Sequence, residues 1–226
     1  MKPYQITLLL LLILQTGLFF GCSSLKNKTE HSTKRTVAIK PVDTVNSFSL
    51  HGTLVMLRPK LEFNSLDHFS HDTLSVVICG DYVYSPFGII ADSLKIQKSL
   101  LKNFEKSDRI DTSGGERFFV QSLKLKSSKL LLFFDNDPEA STHSYIIKGE
   151  IYDPEVQFSN GVKIGMSKAD FFKTFFSIFP ESINNQINVF CLESCIEGIR
   201  HIYVFNDNKL ISVKFECVDC TWKVDY

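Results

Sequence analysis

The chain has one tryptophan, seven prolines and eleven glycines in 226 residues, and its 25 basic side chains are matched by 25 acidic ones. A formal charge of zero removes the electrostatic attraction that gathers proteins on nucleic acid or on acidic surfaces. Glycine and proline are too few for a collagen-like or low-complexity chain. The most apolar run, LLLLLIL at 8–14, falls short of the about 20 residues of a lasting helical membrane span. No Gly-x-Ser-x-Gly elbow occurs, and Gly114-Gly115-Glu116-Arg117 lacks the lysine of a phosphate loop. His68-x2-His71-Asp72 and the acidic trio Asp135, Asp137 and Glu139 read as polar turns, since neither has the ligand spacing of a built metal site. No catalytic residue, cofactor or metal ligand is assigned.

What is present begins at the amino terminus. Lys2 is the only charged residue before Lys26, and the apolar run between them ends at Gly21-Cys22-Ser23-Ser24. One positive charge ahead of a short apolar run is a secretory signal. Its junction resembles the lipobox of bacterial lipoproteins, in which a cysteine thiol is alkylated by a diacylglycerol donor and the peptide is cut before it. Phe19 and Phe20 depart from the commonest lipobox, which prefers an aliphatic and then a small residue. The resemblance implies a signal peptide over 1–21, lipidation at Cys22 and anchoring by two or three acyl chains, because one chain alone binds only weakly. Residues 22–41 are rich in Lys, Thr, Ser and Asn and read as a tether with too little apolar content for a core. Ser23 is not the aspartate associated with inner-membrane retention, so the outer membrane is favoured.

From residue 42 onward, short apolar runs alternate with turn residues. Residues 42–80 read as a strand-rich segment, with strands near 48–57 and 74–80. In 81–154 the spacing predicts a helix over 93–104, carrying Leu94, Leu100, Leu101 and Phe104. A polar loop is expected at 108–116, and strands at 118–126, 129–135 and 144–153. In 155–226, Ser167 and Asp170 form a helix start, and Phe171, Phe172, Phe175, Phe176 and Phe179 recur at helical spacing until Pro180. Residues 199–205 and 210–218 then read as a hairpin turned at Asn206-Asp207-Asn208, with Ile211, Val213, Phe215 and Cys217 on one face. The fold expected is α+β: two similar units, 81–154 and 155–226, each a helix on a small antiparallel sheet, forming a tandem repeat.

Residues 161–172, GVKIGMSKADFF, together with 203–213, YVFNDNKLISV, resemble the SmpA/OmlA family of outer-membrane-assembly lipoproteins, whose fold is shared by the tandem domains of the beta-lactamase inhibitor protein. The resemblance covers about 155–219 and implies a binding module in the envelope. The family's Gly-Pro at the end of its first helix is replaced here by Ile178-Phe179-Pro180.

Five cysteines follow Cys22. Cys191, Cys195, Cys217 and Cys220 form two close pairs, which in an exported protein read first as disulfides, with a four-cysteine zinc site or buried thiols as alternatives. Cys79, at the end of an apolar strand, reads as a buried thiol. Phe172 and Phe176 lie off the main helical stripe and mark where an exposed partner-binding edge would begin. The functional expectation is a noncatalytic lipoprotein, held on the membrane by its lipid and binding or scaffolding another envelope protein. Small-ligand binding, marked by a deep apolar pocket, is the alternative, followed by an envelope hydrolase.

Overall fold

Asp207 and Asn208 both have positive φ, 48° and 60°, and they reverse the chain between β11 (Ile199–Asn206) and β12 (Lys209–Cys217). Their left-handed backbone gives the twist that a two-residue hairpin loop needs. The same device, with His51, His71 and Lys126 in the left-handed region, closes three further hairpins. These are β1 (Ser47–Leu50) with β2 (Thr53–Leu57), β3 (Phe63–Ser70) with β4 (Thr73–Ile78), and β6 (Glu116–Leu125) with β7 (Ser128–Phe133). The computed structural model describes residues 44–113, 116–134, 144–196 and 198–217. The expected leader 1–21, Cys22, the expected tether 22–41, Gly114-Gly115, the acidic trio Asp135, Asp137 and Glu139, and Cys220 lie outside the described residues.

The remaining elements are β5 (Glu105–Ser113), β8 (Ile146–Ile151), α1 (Lys168–Phe175), β9 (Phe176–Ile178), α2 (Glu181–Asn184) and β10 (Val189–Ser194). Nine strands form one sheet in the order β3-β4-β10-β11-β12-β8-β7-β6-β5, and β1-β2-β9 form a second. All pairs in the large sheet are antiparallel except β4 with β10. The expected α+β class is therefore corrected. About half of the described residues are strand and 13% helical, and strands from 42–80, 81–154 and 155–226 all enter one mixed sheet instead of two small ones.

Two helix expectations fail for identifiable reasons. Over 93–104 only a 3-10 helix forms, Ser93–Lys98, capped by Asp92 through the amides of Leu94 and Lys95. Ile96, Leu101 and Phe104 are buried while Leu94 and Leu100 are exposed, so the apolar residues share no single helical face. The phenylalanine helix starts as expected, with Ser167 Oγ accepting from the amide of Asp170, but it stops at Phe175. Phe176 is extended, because the chain there pairs with β2, Phe176 opposite Leu57.

One row of side chains crosses the sheet on its core face: Leu123, Leu130, Gly149, Phe215, His201, Leu192, Val76 and Leu66. At Gly149 a Cβ would overlap Leu130 and lie 2.9 Å from Phe215, so the absent side chain lets these two pack over the strand. α1 covers the neighbouring row, with Phe171 against Tyr203 and Phe205 at 4.9 Å between ring centres, and Phe172 against Phe190 and Phe205. In β12 a register irregularity turns Leu210 inward and leaves Ile211 exposed, against the simple alternation expected.

Candidate functional site

Two places gather polar groups. The first is a cleft of about 280 Å³ between the loop after β4 and the turn before α1, lined among others by Lys60, Asp81, Tyr82, Asn160 and Thr174. Gly80 brings the loop against the backbone of Lys60 and Leu61, where any Cβ would meet the Lys60 carbonyl at 2.6 Å. At the cleft, Tyr82 Oη lies 3.0 Å from Tyr203 Oη, which lies 3.3 Å from His201 Nδ1. This chain leads from the cleft into the core.

Burial governs that chain chemically. His201 has no exposed surface, and burial pushes its imidazole down to about 3, an effect that the Val83 carbonyl does not offset. Burial raises both phenols well above their ordinary range. The three groups therefore stay neutral near pH 7, where phenols this far above neutrality do not act as bases. Phe215 stacks edge-on against the imidazole at 4.8 Å. At about 280 Å³ the cleft stands at the small end of the usual 300 to 1,000 Å³ of a small-molecule site.

The second place is the face of the large sheet opposite the core. Register puts Ser75, Val77, Cys191, Glu193, Arg200, Ile202, Lys214 and Glu216 side by side there. Glu193 Oε1 accepts from Ser75 Oγ and from Arg200 Nε, both at 3.0 Å, while Lys214 Nζ is 3.6 Å from Glu216. Asp67 joins this group from β3, held below the usual carboxylate range chiefly by its hydrogen bond to His68. Among the described residues no helix or second sheet packs on this part of the face. Toward β6, β7 and β8 a small apolar cluster of Val120, Leu131 and Ile147 forms.

The cysteines correct the sequence reading. Cys79 bonds to Cys195, with Cα atoms 5.2 Å apart; it is not a free thiol. Cys217 is also disulfide-bonded, and Cys191 is free and buried. With Cys195 and Cys217 oxidised, the four-cysteine zinc alternative fails. Cys191 lies on the polar face, where burial pushes its thiol up to about 11 despite the opposing Arg200, so it is mostly protonated and weakly nucleophilic at neutral pH. Phe172 and Phe176 are 2% and 3% exposed, and both rings pack against Phe179. They form core and present no exposed partner edge.

The polar cluster went unseen in the sequence because it depends on the parallel pairing of β4 with β10, which brings Ser75 beside Cys191. The alternation over 199–205 was the one available signal, since it sets Arg200, Ile202 and Val204 apart from His201 and Tyr203. No family model matches the chain, and neither the curated proteins nor the solved structures contain a match.

Proposed function

We propose that this chain is an exported lipoprotein, held on a bacterial envelope membrane by acyl chains on Cys22, that binds another envelope protein noncatalytically through the polar face of its large sheet. The observation that carries the binding part is the partly exposed polar row over β10, β11 and β12. There Arg200, Glu193, Lys214 and Glu216 surround the partly exposed Ile202 and Val204. Mixed charge around modest apolar surface suits a specific, reversible protein contact, with the charges setting orientation more than affinity. Export is supported by Cys79–Cys195, since such a bond persists in oxidising compartments.

The test uses a photo-crosslinking amino acid at Lys214 or Ile202 of the lipidated chain in intact cells, with Leu94, which is 82% exposed away from this face, as control. A single discrete adduct from both face positions and none from Leu94 is expected. Adducts only from Leu94, or a smear alike at all three, would remove the sheet face from the account.

A further inference from the structure

The two edges of the large sheet are built differently. β3 meets β4 with two register shifts, at Phe63/Ser65 and Leu66/His68, and such bulges blunt an edge against further pairing. At the other edge β5 runs nine residues in unbroken register with β6, from Glu105 opposite Lys124 to Ser113 opposite Glu116. β7 pairs with β6 only from Val120 onward. Beyond that point, among the described residues, β5 and β6 pair only with each other, and a two-stranded ribbon is only marginally stable alone in water. That ribbon carries Ile110 opposite Phe119, and they are 46% and 72% exposed.

We propose that β5 is the dimerisation edge of this protein and that its partner is the β5 of a second copy, antiparallel about a two-fold axis at Ile110. A two-fold axis normal to the sheet preserves its faces, so opposing positions must share a face, and a register centred on one residue satisfies this. Centring on Ile110 sets Ile110 opposite its own copy and joins Phe119, Ile110, Ile110 and Phe119 into one apolar row across four strands. It also sets Arg109 opposite Asp111 and Asp108 opposite Thr112, twice each, and opposes no like charges among these positions. Shifting the centre by one residue opposes Arg109 to Arg109 or Asp111 to Asp111, which is unfavourable. Charge along β5 thus resists indiscriminate strand addition while fitting a second copy.

The experiment is cysteine pairing on the full lipidated chain in cells, with Cys191→Ser removing the native free thiol. Residues facing each other across a strand pair have Cβ atoms about 4.5 to 5.5 Å apart. Ile110→Cys is therefore expected to give a disulfide-linked dimer under mild oxidation, at least about tenfold more than Asp108→Cys, whose own copy is about 13 Å away at some 3.3 Å per residue. Sedimentation of the purified chain without added cysteine is expected to show a monomer–dimer equilibrium near about 10 µM, the weak end for so small a contact. Ile110→Lys is expected to shift it to monomer with an unchanged circular dichroism spectrum. Equal crosslinking at 108 and 110, a 110 adduct with a different protein, or a monomer throughout to about 100 µM would overturn the proposal.

Discussion

Cys79 and Cys195, 116 positions apart, are joined where the two parallel strands of the sheet end. Cys79 follows Ile78 of β4, Cys195 follows Ser194 of β10, and the amide of Cys195 donates to the carbonyl of Ile78. The bond therefore fastens the parallel strand pair of the large sheet, and the loop that bears Tyr82 leaves from it. Closing so long a loop restricts the unfolded chain, and losing a native disulfide of this kind typically costs about 2 to 5 kcal/mol. Urea unfolding of Cys79→Ala/Cys195→Ala is expected to show an unfolding free energy lower by that amount, with a lower midpoint, whereas an unchanged free energy would mean that β-pairing alone secures the two strands.

His201 makes stability depend on pH. Its folded value of about 3 lies below the ordinary 6.5, so the unfolded state binds the extra proton. Stability is then full above about pH 6.5 and falls as pH drops toward 3. The linkage gives a loss of about 2 kcal/mol between pH 7 and pH 5. His201→Phe is expected to flatten denaturant midpoints over that interval. A variant with the same acid slope as the parent would place the sensitivity elsewhere.

Phe172 separates core from interface. Buried among Phe176, Phe179, Phe190 and Phe205, it is expected on truncation to alanine to cost about 3 to 5 kcal/mol in thermal or chemical unfolding. Stability unchanged with partner capture lost would restore the exposed edge that its sequence position suggested.

Gly149 is fixed by close approach. Gly149→Val would drive a branched side chain into Leu130 and Phe215, and overpacking of this kind costs typically about 1 to 3 kcal/mol. Pairing the change with Leu130→Ala is expected to recover part of the loss relative to the sum of the two single variants. Strict additivity would show that the two sites do not share space.

What was legible in the sequence was local. The Ser167 cap, the hairpin turning at Asp207-Asn208 and the strands expected near 48–57, 74–80 and 118–126 follow from short-range backbone chemistry. Strand β5 was misread as a loop because an edge strand with polar residues on both faces shows no alternation. The phenylalanine run looked helical to Phe179, since spacing cannot reveal that Phe176 pairs with Leu57. The number of sheets, and with it the fold class, turned on pairings between distant segments, β8 with β12 and β4 with β10. Those same contacts assemble Ser75, Glu193 and Arg200 and choose Cys79 as the partner of Cys195.

The anchored state is tested most directly by growing cells with an alkyne analogue of palmitate and comparing the parent chain with Cys22→Ala. The account predicts a labelled, membrane-bound parent and an unlabelled Cys22→Ala chain that is no longer held by lipid. An unlabelled parent, or label retained after Cys22→Ala, would contradict it.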